Sequence, residues 1–98
     1  MKTYNWREAA RRANRWTLQL ALYGLTPESF AALIEGQGGR CASCAAVLLA
    51  IGRVCIDYDR ERSLVRGVLC LPCLDGLRGL DWNMARARAL AAYLERKS

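Results

Sequence analysis

The chain has 98 residues, of which 53% are hydrophobic, with a formal net charge of +6, five cysteines and no histidine. This length predicts a single domain over residues 1–98 and excludes a large core, because so short a chain buries only about 60–65% of its unfolded surface. The absence of histidine excludes Ser-His-Asp and Cys-His nucleophile systems and a histidine-bound catalytic zinc.

The first predicted element is an arginine-rich helix over residues 5–23. Apolar and small side chains recur at spacings of three and four, which predicts one apolar face. This face consists of Trp6, Ala9, Ala10, Ala13, Trp16, Thr17 and Leu20. Arg7, Arg11 and Arg15 lie beside it, and Gly24 is expected to end the helix.

A second helix is predicted to begin at Pro27. Thr26 can cap it, proline suits the first helical position, and Glu28 complements the positive end of the helix. Its buried stripe consists of Phe30, Leu33 and Ile34. The glycine-rich segment 36–39 is expected to end it.

A β-hairpin is predicted in the middle of the chain. Residues 54–56 and 64–65 have the composition of short strands, and the stretch between them is polar. The preceding segment, 47–51, is compatible with a strand or a loop. A short helix is expected after the hairpin and is predicted to end at Leu80.

The last predicted element is a helix from Trp82 to about Arg96, capped by Asp81. Its composition is rich in alanine, leucine and arginine. The apolar stripe is expected to consist of Met84, Ala87, Ala91 and Leu94, with Leu90 and Tyr93 beside it.

The strongest chemical signal is a pair of Cys-x-x-Cys motifs. Cys41 and Cys44 form the first, and Cys70 and Cys73 form the second after 25 intervening residues. Two such turns can complete the tetrahedral four-sulfur site that structural zinc prefers. We therefore predict a four-cysteine structural zinc site that supports the fold and, having no open coordination position, performs no chemistry. A redox dithiol and disulfide pairing are the alternatives.

The cellular compartment is expected to be the cytoplasm, without a membrane partner. No apolar run reaches the roughly 18 residues that cross a membrane, and the N-terminus lacks the apolar centre of a signal peptide. Thiols stay reduced in that compartment. The fifth cysteine, Cys55, alternates with apolar residues and is interpreted as a small core side chain, with a reactive thiol as the alternative.

Four segments carry motifs in a defined order: Tyr23-Gly24-Leu25-Thr26-Pro27-Glu28, Gln37-Gly38-Gly39-Arg40-Cys41, Ile56-Asp57 and Val65-Arg66-Gly67-Val68-Leu69-Cys70. In this order and spacing the chain resembles the bacteriophage recombination endonuclease VII family of the HNH, or ββα-metal, nuclease class. The resemblance covers about residues 20–80. It implies an α+β zinc-stapled domain whose core, 25–80, holds the hairpin and a short helix, flanked by N-terminal (1–24) and C-terminal (81–98) helices.

The resemblance also implies a catalytic site that this sequence has largely lost. In that family a hairpin signature similar to Asp-His-Asp-His, and an Asn after the last zinc cysteine, bind a divalent metal and activate water. Asp57 and Asp59 match the two aspartates, whereas Tyr58, Arg60 and Leu74 replace the histidines and the asparagine. Tyrosine, with a pKa of about 10, is a poor base. We therefore predict an inactive protein that binds no catalytic Mg²⁺.

Two interpretations of the hairpin acids stay open. Asp57 and Asp59, assisted by Glu61, could form a new carboxylate metal site in a divergent endonuclease. The alternative is that these acids pair with the arginines of a solvated hairpin. Those arginines are Arg60, Arg62 and Arg66.

An inactive nuclease scaffold is expected to act by binding. Thirteen of the fifteen cations are arginine, which binds phosphate bidentately, so DNA is one candidate partner. The other is a host protein, with the chain as a phage-encoded inhibitor or regulator of transcription, DNA metabolism or defence in the bacterial cytoplasm. The N-terminal helix is the candidate surface for a partner or a homodimer. The candidate contact residues are Arg7, Arg11, Arg15, Arg60, Arg62 and Arg66.

Overall fold

A computed structural model describes residues 4–49 and 51–97. Residues 1–3, 50 and 98 of the predicted domain lie outside the described residues. The described part confirms the predicted α+β class, with five α-helices and a two-stranded antiparallel hairpin. The elements are α1 (Trp6–Arg12), α2 (Asn14–Leu22), α3 (Pro27–Gly36), a 3-10 turn (Ile51–Arg53), β1 (Val54–Asp59), β2 (Leu64–Cys70), α4 (Leu71–Leu80) and α5 (Met84–Lys97).

The predicted N-terminal helix is two helices, because the chain breaks at Ala13. This residue has φ −86° and ψ 78°, outside the helical region. The hydroxyl of Thr17 donates a hydrogen bond to the carbonyl of Ala10 at 2.9 Å, so this carbonyl near the end of α1 has a hydrogen-bond partner. The prediction of one helix over 5–23 is therefore wrong. The apolar periodicity continues across the break because α1 and α2 both pack against α3.

The start of α3 is as predicted. The hydroxyl of Thr26 accepts a hydrogen bond from the N–H of Ser29 at 3.1 Å, and the Ser29 hydroxyl accepts from the N–H of Thr26 at 2.8 Å. This reciprocal pair is a capping box, with Pro27 in the first turn. The helix buries its apolar side at the centre of the core, which contains Trp6, Ala10, Leu20, Phe30, Ala31 and Ile34.

The side chain of Gln37 joins the end of α3 to β2. Its Nε2 donates to the carbonyls of Val68, at 2.9 Å, and Arg40, at 2.7 Å, and its Oε1 accepts the N–H of Val68 at 2.9 Å. The neighbouring Gly67 permits this approach, since a Cβ there would lie 3.3 Å from both Gln37 Oε1 and Ala42 Cβ. The glutamine therefore holds the loop before the first cysteine motif beside the strand that leads to the second.

The predicted hairpin is confirmed and is longer than the sequence pattern indicated. Its register runs from Val54 opposite Cys70 to Asp59 opposite Leu64. The register shifts after Asp57, so that Arg66 is an extra residue in β2, a β-bulge. Helix α4 follows β2 without a loop and contacts both strands. The segment 47–51 contributes one isolated bridge, between Val47 and Arg40, before the 3-10 turn.

The last helix begins later than predicted. Asp81 and Trp82 have φ of 53° and 52°, the left-handed region that a right-handed helix excludes. Asp81 therefore ends α4, and the side chain of Asn83 accepts the N–H of Arg86 at the start of α5. The predicted start at Trp82, with Asp81 as its cap, is wrong. Except for partly buried Ala87, every α5 residue of described exposure is exposed.

We expect Gln37→Ala to lower the free energy of unfolding by about 1–3 kcal/mol, because it leaves the N–H of Val68 without its partner and removes one of the two donors to the Val68 carbonyl. Chemical denaturation of the zinc-loaded protein measures this change. The matched control is Gln19→Ala on the exposed side of α2, which is expected to change stability by less than about 0.5 kcal/mol. Equal effects of the two substitutions would contradict the assigned role of Gln37.

Candidate metal centre and hairpin cleft

The four cysteines of the two motifs converge. Cys41 and Cys44 lie in the loop after α3, Cys70 ends β2, and Cys73 lies in the first turn of α4. Their sulfur atoms all lie within 4.8 Å of one another, and the sulfurs of Cys44 and Cys70 are 3.7 Å apart. Tetrahedral Zn–S bonds of about 2.3 Å place sulfurs about 3.8 Å apart. The predicted site therefore has the donors and the spacing that a structural zinc ion requires.

Backbone N–H groups favour negative charge on these sulfurs. Those of Ser43 and Ala46 donate to the sulfurs of Cys41 and Cys44, each at 3.4 Å. Burial opposes ionisation of Cys41, but backbone hydrogen bonds outweigh it and lower the pKa of this thiol to about 6. Burial and the neighbouring thiols raise the pKa of Cys73 to about 12. A divalent cation among the sulfurs would favour all four thiolates.

The fifth cysteine lies outside this cluster. Cys55 is partly buried in β1 and packs against the core. Burial raises the pKa of its thiol, which disfavours the reactive thiolate. These observations agree with the interpretation of Cys55 as a small core side chain.

The positions that the family uses for catalysis lie together in a cleft of about 690 Å³. The cleft lies between the hairpin and the junction of α4 with α5. Its lining includes the five positions that the resemblance aligns with the catalytic residues, which are Asp57, Tyr58, Asp59, Arg60 and Leu74. The ring of Tyr58 lies 5.2 Å from the ring of Tyr23, centroid to centroid, so this tyrosine packs against another aromatic side chain.

The carboxylate of Asp57 is buried and engaged by protein donors. Its residue is 6% exposed, and its Oδ1 accepts a hydrogen bond from Trp82 Nε1 at 3.0 Å. Its Oδ2 lies 3.7 Å from the guanidinium of Arg66. Leu74, buried in the cleft lining, offers no oxygen ligand.

Arg66 also neutralises the second aspartate. Its guanidinium lies 3.1 Å from Oδ2 of Asp59, whose Oδ1 accepts the N–H groups of Glu61 and Arg62. The hydrogen bond from the backbone N–H of Arg62 lowers the pKa of Asp59. Burial acts in the opposite direction, and the Arg66 guanidinium lowers the pKa further. The bulge places Arg66 where its guanidinium bridges both carboxylates. Leu74 supplies no oxygen ligand and Trp82 occupies Oδ1 of Asp57, so the residues present do not fit a catalytic Mg²⁺.

The open question about the hairpin acids is answered in part. Asp59 forms ion pairs with Arg66 and, at 3.8 Å, with Arg62. Within the described residues, Arg60 and Glu61 take part in no ion pair. The predicted pairing with arginines is therefore found for the two aspartates and not for Glu61, but Asp57 is buried and not solvated.

Two of the three candidate arginines of the N-terminal segment are occupied within the chain. Arg7 lies 3.6 Å from Glu35, and Arg11 lies 2.9 Å from Glu28. These half-exposed pairs link α1 to α3 and contribute little to stability, because solvent screens them. Arg15 is exposed, and within 4–49 and 51–97 it forms no ion pair.

Trp82 is the cleft residue that the sequence pattern did not reveal. It was expected to lie at the start of the last helix, but it is 42% exposed at the cleft and donates to Asp57. Its left-handed backbone, next to that of Asp81, positions the indole there. An aromatic residue between two helical patterns was the only local signal.

No helix in the described part of the chain is both long and apolar enough to cross a membrane.

Comparison with known proteins places the chain beside phage proteins. A sequence profile of the family described as "Recombination endonuclease VII" matches residues 16–96. The Gene 59 protein of Mycobacterium phage D29 is 42% identical over 67 residues, which cover 67% of this chain and 41% of the relative. The Gene 59 protein of Mycobacterium phage L5 is 38% identical over 65 residues, covering 65% and 40%. The chain thus matches about two-fifths of the length of these relatives. No solved structure matches it.

We expect the purified protein to hold one zinc ion per chain and Cys44→Ser to lose it, because three thiolates and a hydroxyl bind zinc more weakly than four thiolates. Metal analysis after dialysis against a mild chelator measures the occupancy. Cys55→Ser is the matched control and is expected to retain the zinc. A zinc-free protein that keeps its fold, or equal zinc loss from both variants, would contradict the assignment.

Proposed function

Because this chain belongs to the recombination endonuclease VII family, we propose that it is a catalytically silent, phage-encoded member that acts by binding a host protein. The observation that carries the proposal is the engaged carboxylate of Asp57, whose two oxygens face Trp82 and Arg66. Such a protein would inhibit or regulate host transcription, DNA metabolism or defence in the bacterial cytoplasm.

Two losses support catalytic silence, and the pairing of the remaining aspartates is consistent with it. Tyr58 stands in place of the general base, whose loss typically costs about 10²–10⁴ in rate. Leu74 removes an oxygen ligand from a metal that needs several. The guanidinium of Arg66, a residue of the motif shared with the family, pairs with both remaining aspartates, which therefore also have a structural role.

Exposed apolar side chains support protein binding. Leu18 and Leu22, one turn apart on α2, are exposed, as are Met84 and Leu94 on α5. Large apolar side chains grouped on a surface are typical of interaction sites. The zinc ligands and the buried core are kept while the catalytic groups are lost, which is the pattern expected of a scaffold that presents a surface.

DNA binding is the second candidate function, and a specific feature of the cleft favours it. Arg60 is exposed and Trp82 is partly exposed at the cleft. A guanidinium can bind a phosphate and an indole can stack on an unpaired base. The guanidinium of Arg62 is partly neutralised by Asp59 and is therefore less available to a phosphate. In this alternative the chain is a DNA-binding accessory protein. The third candidate function is that of a divergent endonuclease using Asp57 and Asp59.

We expect no cleavage of branched, duplex or single-stranded DNA by the zinc-loaded protein with Mg²⁺ or Mn²⁺. The reason is that the cleft lacks the base and the open metal position that hydrolysis requires. Gel analysis of end-labelled substrates measures cleavage, and Asp57→Ala is the control for a contaminating nuclease. Cleavage by the parent protein that Asp57→Ala abolishes would establish the divergent endonuclease instead.

A tagged, zinc-loaded chain is expected to retain a specific protein from a mycobacterial lysate treated with nuclease to remove DNA. The retained protein is identified by mass spectrometry against a tag-only control. If the tagged chain retains no protein that the tag-only control lacks, host-protein binding is contradicted. Salt-sensitive gel shifts on DNA would then support the DNA-binding accessory function instead.

The homodimer predicted through the N-terminal helix remains a prediction. Leu18 and Leu22 of α2 are the exposed apolar residues that would form it. Sedimentation velocity of the parent protein and of Leu18→Ser/Leu22→Ser tests it. A concentration-dependent dimer that the double substitution removes would support the prediction, and a monomer at all concentrations would contradict it.

A further inference from the structure

We infer that α5 is the docking element of this protein and that it fits an apolar groove with an acidic rim on a partner protein. The inference rests on the proposed function, since it names the surface and the chemistry of the protein partner.

The apolar residues of α5 have the spacing of a docking helix. Met84, Leu90 and Leu94 are 66%, 52% and 69% exposed. With the small residues Ala87 and Ala91 they recur at intervals of three and four, which places them on one side of a helix. Peptide helices that bind grooves use anchors at this spacing.

The fold presents this helix away from the core. Apart from partly buried Ala87, the α5 residues of described exposure are exposed, and the radius of gyration of 15.0 Å exceeds the roughly 13 Å of a compact domain of this length. An isolated helix of 14 residues is only marginally stable in water. Burial against a partner would supply the stabilisation that the chain itself does not give.

The direction of α5 is set by the turn before it. Asp81 and Trp82 have left-handed backbones, and the N–H of Trp82 donates to the carbonyl of Leu77 at 3.0 Å. The indole of Trp82 is anchored on buried Asp57. Two left-handed non-glycine residues in succession carry a conformational cost, and they persist where the surrounding contacts hold them. Here those contacts orient the helix relative to the hairpin.

The charges of α5 indicate an acidic partner. The helix carries Arg86, Arg88, Arg96 and Lys97 against a single acid, Glu95. Arg86 and Arg88 lie on opposite borders of the apolar side at 100° per residue, and both are exposed. A groove with carboxylates on its rim complements this arrangement. A second copy would bring two strongly cationic helices together, with +6 on each chain, so we assign the face to a different protein.

The test uses the full zinc-loaded chain and a designed two-helix peptide whose groove is lined by leucine and rimmed by glutamate. Fluorescence anisotropy of the labelled peptide measures binding. We expect Met84→Ser/Leu90→Ser to weaken it by at least about tenfold, because two anchors are lost. Ala85→Ser/Ala89→Ser is the matched control and is expected to bind like the parent. A peptide rimmed by lysine is expected to bind at least about tenfold more weakly.

Several results would overturn the inference. They are no binding of the glutamate-rimmed peptide, equal binding by the two double variants, and a preference for the lysine-rimmed peptide. If the chain self-associates and Met84→Ser/Leu90→Ser removes the association, the partner of α5 is a second copy. If the chain binds vesicles containing phosphatidylglycerol and the same double substitution removes that binding, the partner is a membrane. A host protein retained equally by the parent and Met84→Ser/Leu90→Ser would leave the proposed function standing and refute the role of α5. An empty lysate experiment would refute the proposed function itself.

Discussion

The convergence of four sulfur atoms is the constraint on which the rest of the fold depends. The loop after α3, the end of β2 and the first turn of α4 meet at these atoms. A chain of 98 residues has a small core, and a structural zinc ion supplies folding free energy of order 10 kcal/mol in small domains. Gln37 reinforces the same junction through the backbone of Val68. The metal centre thereby sets the position of the hairpin and, with it, the cleft.

In the cleft, the carboxylate of Asp57 is held by contacts within the protein. Asp57 keeps its place in β1, but its oxygens are occupied by an indole N–H and a guanidinium. A buried carboxylate without such partners would be costly, and the pairing removes that cost. The same hydrogen bond positions Trp82, which lies in the turn that directs α5. On the proposed function, the former catalytic site would thus orient the surface that binds the partner.

The features that could be predicted from sequence are those encoded by neighbouring residues. The start of α3 is specified by Thr26 and Pro27, and the metal centre by the spacing within each cysteine motif. The break at Ala13 was not predictable, because alanine favours helices and the break follows from how two helices pack on a third. The position of Trp82 depends on a contact 25 residues away in sequence. The apolar stripe of α5 predicted a helix correctly but gave no indication that the rest of the chain would leave it uncovered.

The most direct test of the central claim follows the indole N–H of Trp82 in ¹H–¹⁵N correlation spectra, assigned among the three tryptophans with Trp82→Phe. This proton reports on Asp57 because it is donated to that carboxylate. We expect its resonance to keep its position when millimolar Mg²⁺ is added and to remain sharp with equimolar Mn²⁺, since the indole occupies Oδ1 of Asp57 and Leu74 supplies no second oxygen ligand. A shift with Mg²⁺, accompanied by selective broadening with Mn²⁺, would show that Asp57 binds a metal and would contradict the account of a silent cleft.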